Sequence, residues 1–239
     1  MLLAIDTSTS SIGAALHDGS SVLASVVHED ARRHGELLAP AVAAVLEQAG
    51  VDRRALTGIV CGVGPGPFTG LRVGVVTALV LAHSLSLPQP AGVCSLDALA
   101  HAVATDPALG HEGRLLVATD ARRKEVYWAV YDVAAGAARR LDGPAVGRAA
   151  LLPPHVRDLP VVGRGAELYP EALPHPLPGG PRDVDPGVLA DLAVALRSGH
   201  HPDAATGLID PEPLYLRRPD AVAAPGTAMA AAPRPGGTG

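Results

Sequence analysis

The sequence is poor in lysine, in aromatic residues and in long apolar segments. Lysine occurs once, at Lys124, and the 19 Lys and Arg residues are outnumbered by 24 Asp and Glu, giving a formal net charge of −5. A domain that binds nucleic acid by itself usually has a basic face, so this balance argues against direct RNA or DNA binding. The longest nearly unbroken apolar run, Val73 to Ala82, is shorter than the roughly 20 residues of a membrane-spanning helix. Since no signal peptide precedes the first predicted strand, we expect a cytoplasmic protein without a membrane segment.

Reactive and metal-binding side chains are also scarce. The two cysteines, Cys61 and Cys94, each lie in an apolar run with no evident base beside them, so we expect buried structural thiols. No two of the ten histidines have the helical spacing of a zinc site, and we interpret them as solvated or locally hydrogen-bonded, His28 and His34 included. The Gly-x-Ser-x-Gly signature of serine hydrolases is missing. We therefore predict no metal, no cofactor and no proteolytic site.

Local patterns predict alternating strands and helices. The 239 residues, 48% of them apolar, suffice for one large or two small domains. Apolar periodicity and turn residues predict, in order, strands at Leu2–Ile5, Ile12–Leu16 and Val22–Val27, a helix over 36–50, a strand at Thr57–Val63, an apolar helix over 68–86 and a short strand within 89–96. In the first helix Pro40 is expected in the first turn, where its missing N–H costs little. A late helix is expected to begin after Asp185 as its N-cap and to stop at Gly199.

The second half of the sequence repeats the order of features in the first. "LLAIDTSTSSIGAALHD" and "LVATDARRKEVYWAVYD" can be aligned, because each is a strand ending in Asp (Asp6 or Asp120) followed six residues later by a β-branched residue that begins another strand. Each half later has a strand ending in a Gly-x-Gly turn, at residues 62–64 and 163–165. We predict a duplicated α/β fold whose halves face each other across a cleft.

A looser stretch at residues 102–113 suggests where the two halves meet. We predict an N-terminal unit of residues 1–104 and a C-terminal unit of residues 105–218. The tail, residues 219–239, is rich in Ala, Pro and Gly and has no periodicity, so we expect it to be disordered.

The glycine-rich loop "GVGPGPFTG" raises the question of nucleotide binding. A strand that leads into glycines and then a helix can present backbone N–H groups to a phosphate. This loop lacks the Lys of a Walker motif, its glycine spacing does not fit the dinucleotide fingerprint, and Pro65 and Pro67 remove two N–H donors. We favour a structural role, in which the loop stiffens the strand exit and Thr69 caps the following helix.

The two Asp turns are the remaining candidates for chemistry. In a duplicated fold they could hold a metal-bound triphosphate between them. The first turn has short hydroxyl residues, but the second, "ARRKE", is bulky and has no glycine to wrap a phosphate closely. We therefore interpret the cleft as the remnant of a nucleotide site, formed by Asp6, Thr7, Ser8, Asp120, Gly163 and Gly165.

The apolar helix over 68–86 is the most informative element. A helix that is apolar all round must be covered on every side. Small residues recur every four positions, at Gly70, Gly74, Ala78 and Ala82. A second apolar stripe lies beside them, at Leu71, Val75 and Leu79. Two interpretations remain open. Either the helix is covered entirely within its own domain, or one face binds a partner protein.

Five segments together resemble one protein family. They are "LAIDTSTSSIGAAL", "HGELLAP", "GVGPGPFTGLRVG", "TDARRKEVYWAVYD" and "PEPLYLR", which occur in this order between Met1 and about Arg217. The sequence resembles the bacterial TsaB (YeaZ) family of tRNA threonylcarbamoyladenosine biosynthesis proteins. The resemblance implies the fold of the actin/Hsp70/sugar-kinase (ASKHA) superfamily, an α/β fold with two subdomains, each a mixed sheet flanked by helices. The segment after Arg217 matches nothing in the family.

The resemblance also implies a function without chemistry of its own. Family members are scaffold subunits that bind TsaD, the catalytic paralogue, with TsaE as an ATPase partner, so that threonylcarbamoyl is transferred to adenosine 37 of ANN-decoding tRNAs. Contact with tRNA would be indirect, through the complex. The family's partner surface is its two N-terminal helices, which also form a homodimer when the partner is absent. Here it would comprise Leu38, Val42, Val45, Leu46, Gly70, Leu71, Gly74, Val75, Ala78, Leu79 and Ala82.

Two rival functions follow from the same sequence. An active ATPase or small-molecule kinase of the superfamily would use Asp6, Thr7, Asp120 and the turn at 163–165. A peptidase would need a metal or a nucleophile, and the sequence supplies neither in a recognisable arrangement.

Overall fold

A computed structural model of the chain describes residues 1–30, 33–199 and 207–217. Its strands are β1 (Leu2–Asp6), β2 (Ser11–His17), β3 (Val22–Glu29), β4 (Gly58–Gly64), β5 (Ala91–Cys94), β6 (Gly113–Asp120), β7 (Glu125–Ala134), β8 (Ala137–Arg148) and β9 (Val161–Val162). Its helices are α1 (His34–Gln48), α2 (Phe68–Ser84), α3 (Ser95–Thr105), α4 (Pro154–Arg157), α5 (Gly165–Leu168) and α6 (Pro186–Arg197). The predicted tail, 219–239, lies outside the described residues.

The two sheets have the same topology. The first has the order β3-β2-β1-β4-β5, in which β2 is antiparallel to β1 and β3, while β4 is parallel to β1 and β5. The second has the order β8-β7-β6-β9, with an antiparallel β6-β7-β8 meander and β9 parallel to β6. The first four strands of one sheet therefore correspond to the four strands of the other, which confirms the predicted duplication.

The helices and sheets form five layers. Helices α1 and α2 cover the outer face of the first sheet, α3 and α6 lie between the two sheets, and α4 and α5 lie outside the second sheet. In strand β1, successive side chains face opposite sides of the sheet and so contact different helical layers. Leu3 and Ile5 face α1 and α2, whereas Leu2 and Ala4 face the central layer. Because both faces are covered, the strand is apolar throughout.

The central layer joins the halves that the sequence predicts to be separate units. Helix α3, from the first half of the chain, packs on β6, β7 and β8, while α6, from the second half, packs on β1, β2, β3 and β4. The predicted boundary between residues 104 and 105 falls inside α3, immediately before its last residue, Thr105, and it stays a prediction.

Several local expectations are confirmed and others are wrong. Asp185 caps α6, accepting hydrogen bonds from the N–H groups of Gly187 and Val188. Thr69 does not cap α2, because that helix begins at Phe68 and its N-cap residue, Pro67, makes no side-chain bond. Pro40 lies in the interior of α1, since the helix begins earlier than expected, at His34.

Four elements had no sequence prediction, namely α3, α4, α5 and β8. Helix α3 extends only into the first four residues of the stretch interpreted as loose, 102–113, and β8 is a long strand despite its arginines and Gly143-Pro144. Both cysteines are buried, as expected, and burial raises the pKa of each thiol to about 12. In the part of the chain that the structure describes, no helix is long and apolar enough to cross a bilayer.

Candidate functional site: the closed cleft and the outer face of α2

Three parallel strands end at one edge of the first sheet, and this edge forms the wall of the cleft. Asp6 ends β1, Gly64 ends β4, and Ser95 follows β5. The Asp6 carboxylate accepts hydrogen bonds from the Ser8 N–H (2.8 Å), the Ser8 hydroxyl (2.9 Å) and the Ser95 hydroxyl (2.9 Å). The Ser95 hydroxyl in turn accepts from the Gly64 N–H at 3.1 Å. The first predicted Asp turn is therefore a closed hydrogen-bond network.

The Asp6 carboxyl is deeply buried, and burial shifts its ionisation. Loss of hydration raises its pKa from 3.8 to about 6, although the hydrogen bonds from Ser8 and Ser95 act in the opposite direction. Strongly perturbed pKa values are common among catalytic groups, which makes Asp6 a candidate for a catalytic role. Here its oxygens are already occupied by protein donors, so Asp6 stabilises the turn.

The glycines of the loop lie against the Asp6–Ser8 turn. A Cβ atom on Gly62 would overlap the Asp6 carboxylate, and one on Gly66 would overlap the backbone carbonyl of Ser8. In α2, a Cβ on Gly70 would come within 2.6 Å of the Thr7 carbonyl oxygen, and Gly74 lies against the Thr7 hydroxyl. The Thr7 hydroxyl donates to the Gly70 carbonyl at 2.7 Å. These glycines let α2 and its loop approach the first turn, and that is the physical reason for the motif.

The second Asp turn is held by its own arginine. Asp120 accepts a hydrogen bond from the Arg122 N–H at 2.7 Å and forms an ion pair with the Arg122 guanidinium at 3.1 Å. Arg122, Arg123 and Lys124 all have left-handed backbone conformations, with φ of 63°, 52° and 63°. Such conformations cost about 1–2 kcal/mol for each non-glycine residue. The turn is bulky, as expected from the sequence.

The second Gly-x-Gly turn packs against β6. Cβ atoms on Gly163 or Gly165 would come into conflict with the Ala118 backbone, and Gly163 is also left-handed at φ 91°. The residue between these glycines points its charge into the cleft. The Arg164 Nε atom donates to both Asp183 carboxylate oxygens, at 2.7 and 2.9 Å. Arg164 also pairs with Glu29 of the first half at 3.4 Å.

These contacts leave little space in the cleft. The cavity between the two Asp turns has a volume of about 20 Å³ and is lined by Ser8, Thr9, Ser10, His34, Pro67, Thr119, Asp120, Arg122, Arg164 and Asp183. That is enough for a water molecule, whereas small-molecule sites usually span about 300–1,000 Å³. Hydrogen bonds close it from both halves: the Tyr127 hydroxyl donates to the Gly66 carbonyl at 3.3 Å, and the Ser10 N–H donates to Asp183 at 3.3 Å. The six residues of the predicted remnant site thus line or support a cleft that is closed.

Histidines are more buried than the sequence analysis expects. His34 lies in the cleft wall at the start of α1, and its Nε2 atom has no hydrogen-bond partner among the described residues. Burial lowers its pKa below the usual 6.5. His17 is also buried and bonds Asp191 at 2.8 Å. The expectation of solvated or locally bonded histidines is wrong for these two, since the partner of His17 is 174 residues away. Among the described residues no cluster of three or more His, Cys, Asp or Glu could hold a metal.

The predicted interface residues lie mostly on the inner faces of α1 and α2. Nine of the eleven are buried in this protein's own core: Leu38, Val42, Val45, Gly70, Leu71, Gly74, Val75, Ala78 and Ala82. Leu46 is half-buried and Leu79 is 38% exposed. The assignment of the nine as contact residues is therefore corrected. The small-residue stripe faces inward because only small side chains fit against the Thr7 turn and the first sheet.

The outer face of α2 presents different apolar residues. Val76 is 51% exposed, Val80 is 60% exposed, and both lie on the same side of the helix as Leu79. At the start of the helix the Phe68 ring stacks on Tyr215, with centroids 4.9 Å apart, and the Arg72 guanidinium lies over the Phe68 ring at 5.2 Å. The sequence does not reveal this face, because the helix is apolar all round and no periodicity marks which side is outside.

Other residues that shape the site were also missed. Only the fold brings Ser95 to Asp6 and Arg164 to Asp183. Two weak signals were available: Ser95 directly follows a buried strand parallel to β1, and Arg164 occupies the variable position of the Gly-x-Gly turn.

Two copies of one sheet topology that face each other across a cleft define the ASKHA class of proteins, and this chain has that fold. A family model described as "TsaD: tRNA N6-adenosine threonylcarbamoyltransferase" matches residues 21–163. The structure is similar to that of YeaZ from Pseudomonas aeruginosa, with a TM-score of 0.70 and 29% identity over 90% of this chain and 99% of that one. A second Pseudomonas aeruginosa structure, described as similar to peptidase YEAZ, gives a TM-score of 0.73 and 30% identity over the same shares. The chain belongs to the TsaB/YeaZ family.

Relatives in sequence agree with this placement. An uncharacterized protein of Mycobacterium tuberculosis strain H37Rv is 40% identical over 92% of this chain and 93% of its own length. The tRNA threonylcarbamoyladenosine biosynthesis protein TsaB of Bacillus subtilis is 37% identical over 132 residues. That match covers 54% of each chain, so it spans about half the length of the relative that carries the TsaB name.

Proposed function

We propose that this protein is a non-catalytic scaffold subunit for threonylcarbamoyl transfer to adenosine 37 of ANN-decoding tRNAs. In this proposal it binds a catalytic TsaD-like paralogue, with a TsaE-like ATPase in the assembly, and forms a homodimer when alone. It acts in the cytoplasm and contacts tRNA only through the complex. Support comes from the relatives named for tRNA threonylcarbamoyladenosine biosynthesis and from the matching family model.

The observation that carries the proposal is the outer face of α2. Val76, Leu79 and Val80 are exposed on a helix whose opposite side is fully packed. Apolar side chains that cluster on one exposed face are typical of protein-binding surfaces. The aromatic pair of Phe68 and Tyr215 extends this face at one end, and aromatic residues are enriched at interfaces. We call the five residues the outer α2 surface.

The state of the cleft supports the non-catalytic part of the proposal. A catalytic nucleotide site would need room for a triphosphate and free donors around it, but the cavity is about 20 Å³ and Asp120 is paired with Arg122. The net charge of −5 supports indirect contact with tRNA, since phosphate binding depends on Lys and Arg.

An omission assay tests the proposal. A cognate TsaD-like protein, TsaE-like protein, threonylcarbamoyl-AMP synthase, tRNA, threonine, bicarbonate and ATP are combined with and without this chain, and modified adenosine is measured. We expect modification only when the chain is present, together with no ATP turnover by the chain alone. Equal modification without it would contradict the scaffold role. Heat of Mg-ATP binding to the isolated chain would favour the alternative, an active ATPase or small-molecule kinase.

A matched pair of variants tests the outer α2 surface. Val80→Asp places a charge on the exposed face, and we expect a folded protein whose modification activity at limiting concentration falls at least tenfold and whose homodimer dissociates in light scattering. Leu151→Asp is the control, because Leu151 is 76% exposed but lies in the second half of the chain. Equal activity of the two variants would rule out the surface. Val75→Asp is unsuitable for this test, since Val75 is only 2% exposed and a buried, unpaired charge would unfold the domain.

A further inference from the structure

A groove on the outer side of the second sheet has no part in the proposed function. It has a volume of about 600 Å³ and lies between the turn that carries Lys124 and the segment around Tyr169. It shares no lining residue with the cleft cavity. Most of its wall is alanine, leucine and proline, and three charged side chains line it: Lys124, Arg157 and Glu171. Small-molecule sites have this size and this combination of an apolar wall with a few polar groups.

The position of Lys124 in the groove is fixed by its backbone. Its left-handed conformation, with φ of 63°, follows two other left-handed residues, and its N–H donates to the Tyr169 hydroxyl. The side chain is exposed and forms no ion pair with any residue that the structure describes. The chain's single lysine thus lies at the rim of the groove without an ion-pair partner among the described residues.

Arg157 provides a second cation in the same wall. It ends the short helix α4, and its Nε atom is buried without a hydrogen-bond partner among the described residues. Because this atom is buried, a ligand in the groove would have to bind through the terminal nitrogens of the guanidinium, and Arg157 is one of the residues that line the groove. A guanidinium presents parallel N–H donors that match phosphate or carboxylate oxygens, and the nearby ammonium would add a second charge.

We propose that this groove binds a small phosphorylated ligand of nucleoside monophosphate size. The phosphate accepts hydrogen bonds from Lys124 and Arg157, the planar body lies against Tyr169 and the apolar wall, and a hydroxyl or amino group donates to Glu171. The two cations and the one carboxylate of the lining thus each have a partner group on the ligand. The inference does not rest on the scaffold role and holds for the isolated chain.

The single lysine makes a direct test possible. Reductive methylation with ¹³C-formaldehyde keeps the charge and labels only Lys124 and the N-terminal amine, so a spectrum of the full chain contains a reporter and an internal control. We expect AMP to shift the Lys124 signal with a saturating curve and to leave the N-terminal signal in place. Inorganic phosphate should bind at least tenfold more weakly, and adenosine should give no saturation. A linear response, or equal affinity for phosphate and AMP, would overturn the proposal.

Variants distinguish a built site from general charge attraction. Arg157→Gln should weaken AMP binding at least tenfold, and Arg157→Lys should restore part of the loss because it keeps the charge without the fork of donors. Arg54→Gln is the control, since Arg54 is exposed on the opposite half of the chain, and it should change binding less than twofold. If Arg157→Gln binds like the wild type, the groove is not the site. Trp128 fluorescence confirms that each variant is folded, and Glu171→Gln, with an expected loss of twofold or more, replaces Arg157→Gln if that variant unfolds.

Discussion

At the scale of single residues, Asp6 is the most informative position. The sequence marks it as a possible ligand for a metal-bound nucleotide, whereas its contacts make it the centre of a network with Ser8 and Ser95. Its burial has a thermodynamic consequence that does not depend on function. The folded protein holds the carboxyl proton more tightly than the unfolded chain, because the pKa is about 6 in one and near 3.8 in the other.

The pH dependence of stability follows from this shift. The contribution of Asp6 is fully present below pH 3.8 and is lost as the pH rises through about 6. A shift of this size corresponds to up to about 3 kcal/mol. Between pH 4 and pH 7.5 we expect the free energy of unfolding of Asp6→Asn to rise by this amount relative to the wild type, measured by urea denaturation.

Asp18 supplies the control for this experiment. It is exposed, and hydrogen bonds from the N–H groups of Ser20 and Ser21 lower its pKa below 3.8. Its contribution to stability is therefore lost only at lower pH, as the pH falls through the folded-state value. The difference between wild type and Asp18→Asn should stay constant from pH 4.5 to 7.5, and a slope equal to that of Asp6→Asn would contradict the assignment.

At the scale of elements, the N-terminal ends of α2 and α6 show what the local sequence can and cannot specify. Both helices have a polar residue near the N-terminus that could act as a cap. Asp185 does so, through two backbone N–H groups, whereas Thr69 lies one residue inside α2 and makes no capping bond. The prolines of the loop, with their fixed φ, place the start of α2 at Phe68.

We expect the two positions to respond differently to truncation. Asp185→Ala should lower the free energy of unfolding by about 1 kcal/mol, the usual value of an N-cap, because the donors of Gly187 and Val188 lose their acceptor. Thr69→Ala should change it by less than about 0.5 kcal/mol, as for other exposed sites. Chemical denaturation of both variants at one pH measures the difference, and equal losses would show that α6 is not capped as described.

At the scale of the whole molecule, the central layer makes the two halves interdependent. Tyr131 of the second sheet donates a hydrogen bond to Asp97 of α3 at 2.6 Å, and Arg140 pairs with the same carboxylate at 3.1 Å. The central core includes Leu2 and Val60 from the first sheet together with residues from the second. Unfolding one half would therefore expose the apolar surface of the other.

Cooperative unfolding is the expected result. Trp128, the only tryptophan, lies in β7 and reports on the second half, while Leu3 is fully buried in the outer core of the first half. Leu3→Ala should cost about 2–5 kcal/mol, as large-to-small core substitutions do. We expect the Trp128 fluorescence transition to move as far as the transition in far-ultraviolet circular dichroism. An unchanged fluorescence midpoint would show that the halves unfold separately.

The sequence by itself determined most of the strands, the three helices α1, α2 and α6, the duplication and the family. Apolar alternation and periodicity are local properties, and the motifs around Asp6, the glycine loop and "DARRKEVYWA" are contiguous, so one sequence is sufficient to recognise them. The duplicated topology followed from two segments that match each other in order. Helix α3 was missed because it packs on β7, β8 and α6, which are distant in the sequence, and β8 was missed because its arginines and Gly143-Pro144 interrupt the strand pattern.

Only the tertiary structure decided which side of α2 is outside, what the glycines are for and whether the cleft is open. The helix is apolar on all sides, so periodicity cannot distinguish the face packed against Thr7 from the face that carries Val76 and Val80. Asp6 and Ser95 are 89 residues apart and meet because parallel strands end at the same edge. The contacts that close the cleft join residues that are still further apart in the sequence, 173 residues for Ser10 and Asp183 and 135 for Glu29 and Arg164, so they depend on the packing of the whole chain.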